Sequence, residues 1–220
     1  MGVRSYKNRT VLVAFIGMPT ADIIVIRPSG RPMRIHITGA SGSGTTTLGK
    51  ALADQLGGVF LDADDFFWSP SEPPYRSKRS AQERLSLLLA ELSHSAVTVL
   101  SGSVDGWGAE IEDAFDGVVF LYLDTALRLH RLRVRELQRF GEVNPAFIEW
   151  AAQYDDGPPE GRSLARQRTW LSKRSCPVLY MEDDLSTVDR LTRVNLWIKG
   201  KLAAPADDLR IGHPQTANLK

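Results

Sequence analysis

From residue 33 onward, short apolar runs alternate with stretches whose apolar residues recur every three or four positions. Arg34–Thr38, Val59–Leu61, Val97–Leu100, Val118–Leu123 and Pro177–Met181 read as five strands. Between them, Leu48, Leu52 and Leu56 share one helix face, and Leu85, Leu88, Leu89 and Leu92 share another in a helix over 80–92. Further helices are predicted over 125–140 and 186–198. Gly57-Gly58 closes the first helix, Asp124 caps the 125–140 helix and Gly141 ends it. Near-continuous apolar strands alternating with amphipathic helices predict an α/β fold, its sheet parallel and covered on both faces.

The alternation breaks in three places. Residues 1–32 combine a basic start (Arg4, Lys7, Arg9), a short apolar run over 10–18 and a Pro/Gly-rich junction over 27–32. No small-x-small cleavage site follows, so this span is expected to be an N-terminal extension: a disordered arm, or residues upstream of a true start at Met33. Residues 140–166 are rich in turn residues, charges and aromatics and are expected to form a lid over the domain at 33–200. Residues 201–220 are polar and aperiodic, a flexible tail.

Composition narrows the classes. A chain of 220 residues, 43% hydrophobic and 24% charged, fits one globular domain. A net charge of +1 gives no overall field to draw nucleic acid or anionic lipid, so neither is an expected partner. No run approaches the ~20 apolar residues of a membrane span. The single cysteine, Cys176, excludes an internal disulfide and reads as a buried strand-edge residue, which suits the cytoplasm. Monomer and homodimer both stay open.

The chemistry concentrates after the first strand. Gly39-Ala40-Ser41-Gly42-Ser43-Gly44-Thr45-Thr46 nearly matches G-x-x-x-x-G-K-[ST], a loop whose backbone N–H groups cradle phosphates at a helix N-terminus. Thr46 stands where a hydroxyl would bind Mg2+, and Thr45 replaces the lysine. Lys50 lies more than one turn inside the helix and points away, so an arginine from elsewhere is expected to supply the missing charge. The alternative is a Gly/Ser-rich turn with no ligand.

The second strand delivers Asp62 and Asp64, placed on the same side if the chain stays extended, at the sheet edge where α/β proteins bind ligands. One carboxylate would support a magnesium ion and the other would orient or deprotonate an acceptor hydroxyl. A helix N-cap with solvated acids is the alternative. Phe66, Phe67 and Trp68 read equally as pocket wall or core, and Ser103, Asp105 and Trp107 are candidates to touch the acceptor. Lys78, Arg79 and Arg84 are candidates for an anionic ligand or solvated charges. Arg128, Arg131 and Arg135 fall on one face of the 125–140 helix, either clamping phosphates or forming a solvated basic face, and Arg162, Arg166 and Arg168 bracket the lid.

The segments GASGSGTTT, LDADDFFW, PPY–KR, DGWG, RLRVRE and WAAQYDD together resemble the nucleoside and nucleotide kinase branch of the P-loop proteins. More narrowly they resemble bacterial adenylate-kinase-like proteins often labelled AAA-family ATPases. The resemblance covers residues 33–198. It implies a P-loop NTPase three-layer α/β/α fold, five parallel strands in the order 2-3-1-4-5, and a lid. It also implies ATP with Mg2+ and phosphoryl transfer to a small-molecule acceptor. By the same resemblance residues 39–46 bind phosphate, Thr46 and Asp62 the metal, and Asp64 the acceptor. Arg131, Arg135, Arg162 and Arg166 then stabilise charge. Because Thr45 stands for lysine, a nucleotide-binding regulatory or sensor protein without transfer is the alternative. An ATPase linked to DNA topology is a third reading, opposed by the neutral charge.

Overall fold

The computed structural model describes residues 31–72, 74–158 and 161–202. The expected N-terminal extension lies outside the described residues except for 31 and 32, as does the expected tail except for 201 and 202. In chain order the elements are β1 (Met33–Gly39), α1 (Thr45–Leu56), β2 (Val59–Asp62), α2 (Ala63–Phe67), β3 (Trp68–Ser69), β4 (Ser77–Lys78), α3 (Ala81–Ser93) and β5 (Val97–Ser101). They continue with α4 (Ala109–Glu112), β6 (Gly117–Leu121), α5 (Thr125–Phe140), α6 (Pro145–Ala152), α7 (Leu164–Ser172), β7 (Val178–Met181) and α8 (Thr187–Lys201).

Five of the strands form one parallel sheet in the order β2-β5-β1-β6-β7. Numbered among themselves they run 2-3-1-4-5, the order expected. β1 is central because both of its edges are paired: Ile35 lies opposite Val99 on one side and Gly117 on the other. Alternation along the strands then sorts the two faces. Ile35, Ile37, Val99, Val119 and Leu121 pack with Leu48, Leu52, Val194 and Ile198 under α1 and α8. Leu100, Val118 and Phe120 pack with Leu88, Leu92, Ile111 and Trp170 under α3, α4 and α7. His36 and Thr38, alternating with the two isoleucines, face this second layer. Leu202 is buried in the first cluster, so the packed fold reaches two residues beyond the expected boundary at 200.

Local rules explain most boundaries. The side chains of Ser80, Asp124, Asn144, Ser163 and Ser186 each accept a backbone N–H at the start of α3, α5, α6, α7 and α8. α5 has the expected bounds, and Gly57 and Gly141 close α1 and α5 in the left-handed conformation. Two features differ from expectation. The segment between α2 and α3, with prolines at Pro70 and Pro74, is tied off by a β3–β4 hairpin that the sequence pattern did not predict, with Trp68 opposite Lys78. The chain also leaves β2 at Asp62 and turns at once into α2, so Asp64 sits in a helical first turn rather than on an extended strand end. Among the described residues no helix is long and apolar enough to cross a membrane.

Candidate functional site

β1 carries the chain to the carboxyl edge of the sheet, where residues 40–44 curl back on themselves. The Ser43 N–H donates to the Ala40 carbonyl at 3.1 Å, and Gly44, at φ +96°, opens α1. Glycine is required at Gly39, where a Cβ would lie 2.3 Å from the Leu121 carbonyl oxygen, and at Gly44, whose φ of +96° strains any other residue and where a Cβ would lie 2.8 Å from Nη1 of Arg190. The N–H groups of Gly42, Gly44, Thr45 and Thr46 find no backbone acceptor among the described residues. α1 has no side-chain cap and no acid in its first turn. An ordinary turn would be capped by a side chain; this one leaves converging donors open to an anion. Lys50 does point away, with Nζ 5.7 Å from the centre of the Phe60 ring.

The acidic pair meets the loop from the β2 side. Thr46 Oγ1 donates to Asp62 Oδ2 at 3.2 Å, while Asp62 Oδ1 accepts the Asp64 N–H, also at 3.2 Å. Asp62 is therefore the N-cap of α2, as the alternative sequence reading had it, and the partner of Thr46 at once. Asp64 keeps an open face to solvent while protein crowds it elsewhere. Burial pushes its carboxyl above the usual carboxylate range, Asp62 and Asp65 push the same way, and Arg162 and Arg135 oppose them.

The arginines separate. Arg162 is exposed, its guanidinium 5.7 Å from the Trp150 ring centre. Arg135 is also exposed, 3.7 Å from Glu136 and 5.8 Å from the Phe147 ring centre. Arg131 instead donates to Asp184 at 2.6 Å, on the α8 side, and Arg166 is paired with Asp105. Arg128 corrects the expectation of a clamping row most sharply. It is fully buried, donating to the carbonyls of Leu123 at 3.0 Å and Ala151 at 3.3 Å, to Thr125 Oγ1 at 2.8 Å and to Asp155 at 3.4 Å. It anchors α6 to α5. Arg168 faces Glu182 at 3.6 Å and is exposed.

Arg79 is likewise structural, with Nη1 donating to the carbonyls of Asp65, Phe66 and Trp68. Arg84 lies against the rings of Phe67 and Trp107, and Lys78 lies over Phe67 and Trp68. Trp107 is buried, so it is core rather than an acceptor contact, and Phe66 and Phe67 pack on the second cluster. Cys176 is half-buried and packs there too, and burial pushes its thiol up.

A narrow cleft opens beside the loop, lined by His36, Thr38, Ser103, Asp105, Arg162 and Gln167 among others. Gln167 Nε2 donates to Thr38 Oγ1 at 2.6 Å, and the Tyr154 hydroxyl bonds the Gln167 oxygen. His36 is fully buried, and its Nε2–H donates to the Gly102 carbonyl at 3.1 Å. Burial, aided by the charge of Arg174, holds its pKa down at about 3, so the ring is neutral and Nδ1 is left without a partner. A smaller cleft joins Ser41 of the loop to Trp150, Tyr154 and Arg162.

Sequence reasoning missed three of these residues. The signal for His36 was present, since a central strand alternates Ile35 and Ile37 with two polar side chains. Gln167 and Arg190 carried none. Arg190 projects from α8 to the back of the loop, where Nη1 donates to the Ser43 carbonyl at 2.8 Å.

A three-layer α/β/α sheet whose first strand ends in an uncapped glycine loop at a helix N-terminus defines a P-loop-type protein. The chain belongs to the family of the uncharacterized protein YqaC of Bacillus subtilis (strain 168), with which it is 43% identical over 170 residues, 73% of this chain and 94% of that protein. No family model matches it. Among solved structures it is similar to a shikimate kinase from Bacteroides thetaiotaomicron (21% identity, 76% of this chain and 98% of that one, TM-score 0.48). It is similar to the same extent to a shikimate kinase from Acinetobacter baumannii in complex with shikimate (21%, 78% and 96%, 0.49). A third similar structure is TT1252 from Thermus thermophilus (19%, 79% and 100%, 0.48).

Proposed function

We infer that the chain is a small-molecule kinase of the nucleoside or nucleotide type, using ATP and Mg2+. The observation that carries this reading is the junction of three groups at one sheet edge: the unpaired N–H donors of Gly42, Gly44, Thr45 and Thr46, Thr46 bonded to Asp62, and Asp64 beside them. The residues fit the implied groups. The cradle at Gly39 and Gly44 excludes a Cβ, leaving backbone donors for phosphate oxygens. Thr46 and Asp62 would hold the metal. Among the described residues no three acidic, His or Cys side chains cluster to cage an ion, as suits Mg2+, which takes one or two protein oxygens and completes its shell with phosphates and water.

Bound MgATP would supply the transferable phosphoryl group and offset its charge. The protein's own part is positioning and electrostatics. Asp64, with its proton affinity raised, would orient an acceptor hydroxyl and take its proton. The charges of Arg162 and Arg135 already act on Asp64 and would meet charge developing there. The cleft of His36, Thr38 and Gln167 offers the acceptor hydrogen-bonding groups.

A second reading, a nucleotide-binding sensor without transfer, rests on Thr45, which leaves the loop's own sequence without a cation. Titration calorimetry with MgATP, followed by a screen of phosphate acceptors with labelled ATP beside an acceptor-free control, tests the proposal. Asp64→Asn should abolish labelling by about 10²–10⁴-fold while leaving binding intact. A wild type that binds but labels no acceptor favours the sensor, and one that binds no purine triphosphate refutes both. Because its carboxyl must be ionised to accept a proton, transfer should fall as pH drops through the raised pKa of Asp64.

A further inference from the structure

Arg190 is 4% exposed, and among the described residues its guanidinium has no carboxylate partner. The carboxylates on the turn before α8 are committed elsewhere: Asp183 to Arg193 at 3.2 Å and Asp184 to Arg131 at 2.6 Å. Asp189 accepts from Ser186. Its neutral contacts are the Ser43 carbonyl at 2.8 Å and a long bond to the Asp183 carbonyl at 3.5 Å, while its buried Nε has no partner. Burying a cation without a counter-charge is costly, and such a group persists where something compensates it. Burial and the neighbouring Arg131 disfavour its charged form, and Asp184, which lies outside ion-pair distance and is bonded to Arg131, offsets them only in part.

Its position says which anion would do so. In a trans peptide the N–H points opposite to the C=O. With the Ser43 carbonyl turned back onto Arg190, the Gly44 N–H is turned to the other side of the loop, and it has no internal acceptor. The guanidinium thus aims one amide of the cradle and adds a full positive charge directly behind it. It lies so close that a side chain at position 44 would collide with it, its Nη1 being 2.8 Å from a Cβ there.

We propose that Arg190, reaching across from α8, is the cation that serves the phosphate loop in place of the lysine missing at position 45, and that its ligand is the polyphosphate of a nucleotide. The proposal rests on the nucleotide-binding reading above. Arg190 is a positioning residue, acting on the ligand through the 43–44 peptide and through its charge. A strut that merely ties α8 to the loop is the competing role, and the two differ in how they respond to charge.

The test is titration of the full chain with MgATP, with thermal melts as a check on folding. Arg190→Gln keeps a donor for the Ser43 carbonyl but removes the charge, and should weaken binding about 10- to 100-fold. Arg190→Lys keeps the charge and should stay within about threefold of wild type. Adding Thr45→Lys to Arg190→Gln should recover about tenfold, whereas Thr45→Lys alone should change affinity less than about threefold, because one cation already serves the site.

Equal losses in the Gln and Lys variants, no loss in either, or a Thr45→Lys effect identical in both backgrounds would each overturn the proposal. Should Arg190→Gln fail to fold, Thr45→Lys alone decides. A gain of about tenfold or more would mean the loop lacked a cation, against the proposal. A wild type that binds no MgATP removes the nucleotide reading and this inference together. Binding in the wild type combined with any of the overturning patterns removes this inference alone.

Discussion

Two arginines flank the phosphate loop, both buried, and they solve the problem of an interior charge in opposite ways. On the α5–α6 flank Arg128 is saturated by Asp155, the Thr125 hydroxyl and two carbonyls. On the α8 flank Arg190 has one good bond, to the loop itself, and among the described residues no carboxylate within ion-pair distance. A saturated buried cation is scaffold, because its charge is already neutralised where it stands. An unsaturated one beside open backbone donors is poised for an anion that arrives from outside. Identity and burial do not separate the two residues; their counter-charges do.

The comparison can be broken at several strengths. Arg128→Met should cost the most stability, about 3–5 kcal/mol by chemical denaturation, because it strands the Asp155 carboxylate and the Ala151 carbonyl. A loss below about 1 kcal/mol would show that the saturated flank is not the scaffold described. Asp155→Asn keeps the shape and a hydrogen-bonding oxygen while deleting the counter-charge, and should cost less, about 1–3 kcal/mol. It should also loosen α6, read as faster amide exchange over residues 145–152.

His36 offers a third way to bury a titratable group, by staying neutral. Its folded pKa is about 3 against 6.5 when exposed, so between those values the unfolded chain takes up a proton that the native ring refuses. Stability contributed by His36 is therefore complete above pH 6.5 and declines as pH falls toward 3, with a slope of up to about 1.4 kcal/mol per pH unit. His36→Asn should flatten the acid limb of a stability–pH curve by that amount. Parallel curves for variant and wild type would show that the native ring titrates normally.

The elements were legible in the sequence because their causes are local. A two-residue period with apolar runs makes a buried strand, a three-to-four period makes an amphipathic helix, and Ser80 or Asp124 before a helix caps it wherever the chain goes next. α5 fell at its expected bounds for this reason. The loop was legible too, since its glycine spacing is a pattern along the chain, although the contacts that press on those glycines come from Leu121, Arg128 and Arg190. What misled was the extended-strand picture of Asp62 and Asp64. The cap that Asp62 provides starts a helix immediately, and the two carboxylates meet through a backbone N–H rather than through strand alternation.

The sequence by itself determined the five strands and, through the motifs they share with a known family, their order, along with the position of the phosphate loop. These follow from spacing along the chain, which is all a sequence records. Only the tertiary structure decided what each arginine does. A guanidinium on a long flexible stem takes its role from the counter-charge brought to it, and those partners are remote: Asp155 is 27 residues from Arg128, Asp184 is 53 from Arg131, Asp105 is 61 from Arg166, and Ser43 is 147 from Arg190. On one helical wheel Arg128, Arg131 and Arg135 look alike. The fold buries the first, pairs the second with Asp184 and leaves the third exposed beside Glu136 and Phe147, because each turn of α5 meets a different neighbour.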